Sequence, residues 1–343
     1  MRKSVLAAAW CLASALALTA CGGSATAKQG KETGNFTGKT IDFVIPFDAG
    51  GGYDSYARML APKLGEKLGA TVVVINKPGA GGLKATNEVW NSRPDGKTIV
   101  MFNTPGHLGS ALAGADGVQY KPEGFGYIGQ ISSEPDVLIT QSGSKYASFD
   151  NVLAATAGAP VRFAATGPGS NEYVDPVVIQ KIFGVSGEVV TGFASSNEAY
   201  LAVLAGNVDA HSRSLGSQLP GIAAGDAKPL LVIGAQPAKD LAGVPTILDV
   251  VAPEKRELAE SHVKLIESGR TVAAPPGTDP KLLAELRKAF EEIVKDAEFV
   301  KAAEAAGRPI SGLNGDEVTS MIERIMKSPT EYVDTLKVAY GKK

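Results

Sequence analysis

From residue 40 onward, strand-like and helix-like runs alternate, and this alternation constrains the fold more than any other feature of the 343-residue chain. Residues 40–47 (TIDFVIPF), 71–75 (TVVVI) and 98–102 read as strands, with helical patterns over 55–68 and 83–91 between them. Strand, helix and strand in that order give the βαβ pattern of a parallel sheet, so the class is α/β. In the first helix Tyr56, Leu60, Leu64 and Leu68 recur at spacing four as one apolar stripe. Pro62 speaks against it, since a proline inside a helix costs about 3 kcal/mol or forces a kink.

A second small α/β unit opens near residues 137–140. It continues through 161–165, a helix at 174–183, 189–190, a helix at 198–205 and 230–233. Beyond it, the run Pro275-Pro276-Gly277-Thr278-Asp279-Pro280 punctuates the chain before a helix that starts at Pro280 and stops at Gly307. Thr278 or Asp279 can cap that helix, and a last helix spans about 316–340. Two units suit a chain of 343 residues at ~150 residues per domain.

Composition narrows the chemistry. With 44% apolar residues, 20% charged residues and a formal net charge of −2, the chain is neither disordered nor built to embrace a polyanion, so nucleic acid is not an expected partner. Three histidines and two cysteines are few for a metal centre or for nucleophilic catalysis with a histidine base. Neither a metal nor a cofactor is expected.

Arg2 and Lys3 precede an apolar stretch over 5–20, long enough for an export signal and short for a membrane span of ~20 residues. It closes on Leu18-Thr19-Ala20-Cys21-Gly22, which resembles the lipobox of bacterial lipoproteins and implies cleavage after residue 20 with lipidation of Cys21. The plainer alternative is an ordinary signal peptide with an incidental cysteine. Residues 21–35 are small and polar, as a flexible tether from anchor to folded body should be. The expected location is extracytoplasmic, anchored by lipid to the cell membrane.

Between the first strand and the first helix lies Pro46-Phe47-Asp48-Ala49-Gly50-Gly51-Gly52-Tyr53-Asp54. Consecutive glycines let backbone N–H groups approach a ligand, and the helix N-terminus adds about half a positive charge, so an anion is the natural guest. A structural turn capped by Asp54 or Ser55 is the alternative. Residues 76–82 (NKPGAGG) repeat the pattern after the second strand, and 166–171 (TGPGSN) do so in the second unit. Neither carries the spacing of a dinucleotide fingerprint or the Gly-Lys-Ser/Thr of a phosphate loop.

Four segments together resemble the substrate-binding proteins of tripartite tricarboxylate transporters, also called Bug receptors: residues 44–54, 76–82, the Val-Pro-Thr at 244–246, and 274–279 before the long helix. The resemblance implies a two-lobed periplasmic-binding-protein fold of type II, joined by two crossover strands with the ligand in the cleft. Lobe one would combine 36–136 with 235–343, and lobe two would hold 137–234. It implies a monomer that holds a small organic carboxylate, a di- or tricarboxylate or an aromatic acid, and delivers it to a membrane permease. The residues it carries over to the site are Phe47, Asp48, Gly51, Gly52, Tyr53 and Asp54, then Asn103, Thr104 and His107. Thr166, Gly169 and Ser170, with Ala194, Ser195 and Ser196, complete the set.

The sequence also departs from the family. Where relatives often carry an Asp–Asn-like pair after a strand, it reads His211-Ser212-Arg213-Ser214, so Arg213 could clamp a carboxylate or else be a surface arginine in a polar loop. No enzymatic step is expected. An exported hydrolase, the alternative from another class, finds no Gly-x-Ser-x-Gly elbow and no HExxH motif. A lipoprotein sensor that presents its ligand to a signalling partner remains a second alternative.

Overall fold

The computed structural model describes residues 35–154 and 159–342; the export signal, Cys21 and the tether up to residue 34 lie outside them. Five strands come first: β1 (Thr40–Ile45), β2 (Thr71–Asn76), β3 (Thr98–Asn103), β4 (Gly126–Ser132) and β5 (Asp136–Gln141). Then follow β6 (Val161–Ala164), β7 (Gly187–Val190), β8 (Ala210–Ser214), β9 (Ala227–Ile233), β10 (Arg270–Ala274) and β11 (Leu313–Asn314). They form two sheets, ordered β11-β4-β10-β3-β1-β2 and β7-β6-β8-β5-β9.

In the first sheet β1 runs parallel to β2 and β3, as the alternation of runs implies. The sheet is mixed rather than parallel throughout, because β10 joins β3 and β4 antiparallel and β11 joins β4 the same way. In the second sheet β6 is parallel to β7 and β8, while β5 is antiparallel to β8 and β9. The first sheet draws on residues 40–132 and 270–314 and the second on 136–233, so the chain crosses between them twice. This is the two-lobed α/β architecture of periplasmic binding proteins.

One apolar core runs through both sheets. Val44 and Phe102 of the first sheet, Leu138, Phe163 and Leu231 of the second, and Leu258 and Tyr332 from flanking helices all belong to it. The outer face of the first sheet buries Ile41 and Phe43 against Tyr56, Leu60 and Leu64, the stripe of the helix Gly52–Leu68. That helix continues through Pro62, which is exposed, so the carbonyl it leaves without a donor sits on the solvent side of the helix.

Two long helices expected from periodicity are each divided. The stretch from Pro280 holds Pro280–Val294 and Ala297–Ala305, because Asp296 accepts a hydrogen bond from the Phe299 N–H (2.8 Å) and caps a new start. The last one holds Gly315–Ile325 and Thr330–Ala339, with Pro329 between them. Asp279 does cap the helix at Pro280, through the Lys281 N–H at 2.7 Å.

Candidate functional site

A narrow cleft lies between the two sheets. Its first wall is the end of β1 and the glycine turn after it, with Phe47, Asp48, Gly51, Gly52 and Tyr53 lining the space. No side chain caps the helix Gly52–Leu68, so the first-turn N–H groups, out of reach of any helical carbonyl, lie at the cleft wall. Asp54 turns away from the cleft and braces the loop. Its Oδ2 accepts from the Gly50 N–H and from Arg58 Nε, both at 2.9 Å, and its Oδ1 from Asn76 Nδ2 at 3.0 Å. Burial pushes this carboxyl up, but the bonds from Arg58, Gly50 and Asn76 outweigh it and hold the group below the usual range.

The second wall comes from β8, the turn after it, and two helix starts. Arg213, Ser214 and Ser217 line it together with Asn171, Glu172 and residues 195–197. Arg213 is 9% exposed; its Nη1 donates to Asn197 Oδ1 (2.9 Å), its Nη2 to the Ser217 carbonyl (2.7 Å), and its plane covers the Tyr200 ring at 4.5 Å. Its Nε is buried without a hydrogen-bond partner, its hydrogen-bond partners are neutral, and the Glu172 carboxylate attracts it from beyond ion-pair distance. Burial draws the guanidinium down from its ordinary value and outweighs the attraction of Glu172.

Arg270 forms the floor and behaves in the opposite way. Its Nη1 meets Glu134 Oε1 and Ser132 Oγ at 3.0 Å, its Nη2 donates to Ser214 Oγ at 2.7 Å, and the Tyr53 and Tyr56 rings cover its faces at 4.8 and 5.1 Å. Burial would lower this guanidinium, yet Glu134 beside it carries it up. Glu134 sits in the first crossover and also accepts from Tyr56 Oη (3.0 Å) and the Gly216 N–H (2.7 Å), so one carboxylate ties both sheets together. Arg270 is thus paired in direct contact with a carboxylate, and among the described residues Arg213 is not.

Behind the cleft, Asn171 donates to Asp136, and Asp175 accepts from Ser212 Oγ (2.5 Å) and approaches His262 Nε2 at 3.1 Å. Burial, reinforced by the neighbouring Asp175, pushes the Asp136 carboxyl far up from its ordinary value. Tyr53 stays a neutral phenol for the same reason of burial, and its hydroxyl donates to Asn103 Oδ1 at 2.6 Å.

The residues singled out in the sequence divide into three groups. Phe47, Asp48, Gly51, Gly52, Tyr53, Ser195, Ser196 and Arg213 line the cleft. Thr166 and Ala194 line an adjoining hollow of about 690 Å³ that shares Phe47 and Asp48 with it. Asp54, Asn103, Thr104, His107, Gly169 and Ser170 line neither. Thr104 Oγ1 is paired with Thr271 Oγ1 (3.0 Å), Ser170 Oγ donates to the Gly167 carbonyl (2.7 Å), and His107 is fully buried beside Thr86. Ser195 also caps its helix through the Glu198 N–H at 3.1 Å.

The glycines of 79–82 and 167–169 do less for a ligand than their spacing suggests, because they pack on each other. A Cβ on Gly81 would stand 2.6 Å from the Gly167 carbonyl oxygen and 2.7 Å from the Gly169 and Ser170 nitrogens. One on Gly106 would stand 2.3 Å from the Gly169 carbonyl oxygen. The Gly169 N–H is already directed at the Ala80 carbonyl, 3.3 Å away. Sequence reasoning missed Asn171, Glu172, Ser214, Ser217 and Arg270; Arg270 directly precedes the strand read at 271–273, and no local motif marks it.

Comparison with known proteins now decides the family. Residues 56–331 match the family model described as TctC, the tripartite tricarboxylate transporter family receptor. The chain belongs to that receptor family. Among curated relatives, Protein BugT of Bordetella pertussis is 28% identical over 275 residues, covering 79% of this chain and 81% of BugT. Among solved structures, the periplasmic binding protein BugD matches with a TM-score of 0.73 at 23% identity, over 88% of this chain and 97% of BugD. MatC from Rhodopseudomonas palustris, solved with bound malate, matches at 0.73 and 20% identity, over 87% and 99%.

This receptor is therefore a solute-binding protein by family and by fold. Among the described residues no group of three His, Cys, Asp or Glu side chains could hold a metal ion, and no helix is long and apolar enough to cross a membrane. What the cleft offers chemically is a helix N-terminus on one wall and, on the other, a guanidinium with no carboxylate in direct contact.

Proposed function

We propose that this receptor captures a small organic acid in the cleft between its sheets and hands it to the permease of a tripartite transporter. Arg213 carries the reading: a buried guanidinium with no carboxylate in direct contact is costly, and a carboxylate entering the cleft would meet it with a charge-assisted bidentate bond. The uncapped start of the helix Gly52–Leu68 faces the same space from the other wall and favours negative charge. A ligand touching both walls binds the closed arrangement better than an open one, so the cleft closes on it by a shift of population at the two crossovers.

In this reading residues 36–136 with 235–343 act as one lobe and 137–234 as the other. The site comprises Phe47, Asp48, Gly51, Gly52, Tyr53, Ser195, Ser196 and Arg213, with Arg270 as its floor. Lipid at Cys21 holds the protein at the outer face of the membrane, and binding leaves the ligand chemically unchanged. Malate, the ligand in MatC, is an acid of the class expected.

Thermal unfolding of the soluble mature domain against a panel of carboxylates, amino acids and neutral sugars tests the proposal. A specific acid at ~100 times its Kd adds about 2.7 kcal/mol of stability, and the Arg213→Ala protein loses most of that gain. A midpoint that moves with a neutral sugar and with no acid refutes it.

A further inference from the structure

Charge is unevenly settled in the cleft. Arg213 and Arg270 are its two lining cations, and Asp48 and Glu172 its two lining anions. Arg270 is already engaged by Glu134, with both of its faces covered by tyrosine rings, and its Nε has no hydrogen-bond partner. That leaves Arg213 as the lining guanidinium with no carboxylate in direct contact, which matches one carboxylate. Arg308, which donates to the Gly216 and Gly307 carbonyls (3.1 and 3.0 Å), does not line the cleft.

Glu172 is the unspent anion on the same wall. It stands in the first turn of the helix Asn171–Phe183, 5% exposed; its Oε2 accepts from the Thr166 N–H (3.0 Å) and its Oε1 lies 3.8 Å from His211 Nε2. His211 brings no compensating charge: it is fully buried on β8, its Nδ1 is 3.0 Å from the Ala164 carbonyl oxygen, and its Nε2 has no hydrogen-bond partner. Among the described residues Glu172 is in direct contact with no lysine or arginine, although it attracts Arg213 from beyond ion-pair distance, and it shares the cleft with Asp48.

Resting on the reading of the cleft as an acid-binding site, we propose that the ligand carries a single carboxylate, held by Arg213, and a neutral or cationic hydrogen-bond donor toward Glu172. A second carboxylate would face Glu172 and Asp48 in a desolvated space, where like charges repel and no further cation lines the cleft to receive it. A hydroxyl or ammonium donor there would satisfy Glu172 instead. Glu172 in this arrangement determines specificity by rejecting diacids, which sets the receptor apart from MatC and its bound malate.

Isothermal titration calorimetry on the mature protein tests this with ligands matched in length: succinate, 4-hydroxybutyrate and 4-aminobutyrate, then the corresponding five- and six-carbon sets. The expected result is a hydroxy or amino monoacid that binds at least tenfold tighter than the diacid of its own length. Glu172→Gln, which keeps an acceptor for the Thr166 N–H, should shrink that gap to about threefold or less by admitting the diacid. Diacids that bind as well as the matched monoacids at every length overturn the inference and leave the acid-binding reading standing. If no acid of either kind binds, the acid-binding reading fails and takes the inference with it. The wild-type panel decides between these outcomes even if the Glu172 variant does not fold.

Discussion

The interlocked glycines make a sharp prediction about Gly81→Ala. Gly81 has φ +65°, where an alanine is strained by roughly 1–2 kcal/mol. Its new Cβ would also lie within 2.7 Å of three backbone atoms of residues 167–170, none of which can swing aside as a side-chain end would. Overpacking of that kind costs about 1–3 kcal/mol, so the total loss is about 2–5 kcal/mol. Gly143→Ala supplies the control: its φ is +86°, but nothing lies within 4 Å of the added carbon, so it carries the backbone strain alone. Urea titration of both variants, followed by far-UV circular dichroism, yields the two costs from the midpoints at a common slope. Because the clash lies between turns that follow strands of different sheets, Gly81→Ala should also weaken ligand binding while Gly143→Ala leaves it unchanged. If the two variants lose equal stability, the backbone contact at Gly81 is not the close fit described here.

Three further outcomes follow from the cleft and its surroundings. Arg213→Lys keeps the charge but loses the planar fork that spans Asn197 and Ser217, so calorimetry should show at least tenfold weaker acid binding, with Arg213→Ala weaker still. Glu134→Gln leaves Arg270 buried without its counter-charge and should cost about 3–5 kcal/mol in urea unfolding. His107 is held neutral by burial, which lowers its pKa to about 3 against the opposing Gly81 hydrogen bond. Since the folded value lies below the unfolded one of about 6.5, its stabilising share is complete above that pH and fades as the pH falls, by roughly 2–3 kcal/mol at pH 4.5. His107→Gln should flatten the loss of thermal midpoint between pH 6.5 and 4.5, and an unchanged slope would contradict the assignment.

What the sequence reveals and what it hides follow from the same physics. Strands β1, β2 and β3 are legible because each is an apolar run bounded by turn residues, and their parallel pairing follows from the helices between them. Strand β8 is not, because Ala-His-Ser-Arg-Ser has no apolar pattern; it is buried throughout only because partners distant in sequence serve its polar groups. Ser212 bonds Asp175, His211 contacts the Ala164 carbonyl, and Arg213 reaches Asn197. The divided helices were marked locally by Asp296 and by Pro329, and an apolar face continuing across each break conceals them from a reading by period. Glycine-rich turns look alike in sequence whether they line an open cleft, as at Gly51 and Gly52, or pack on another backbone, as at Gly81 and Gly169. Only the fold separates those two uses.

The apolar core that passes through both sheets has a consequence for how the protein comes apart. Residues 34–343 form one compact unit, and Phe102, Phe163 and Leu231 leave water together or not at all. Heating should therefore give a single cooperative heat-absorption peak, with equal calorimetric and van't Hoff enthalpies, in place of two. A protease that nicks an exposed loop of the middle segment should release no folded fragment. Receptor closure is then a small adjustment on the cleft side of a body whose far side stays sealed, and amides along the shared core should exchange with solvent only through global unfolding.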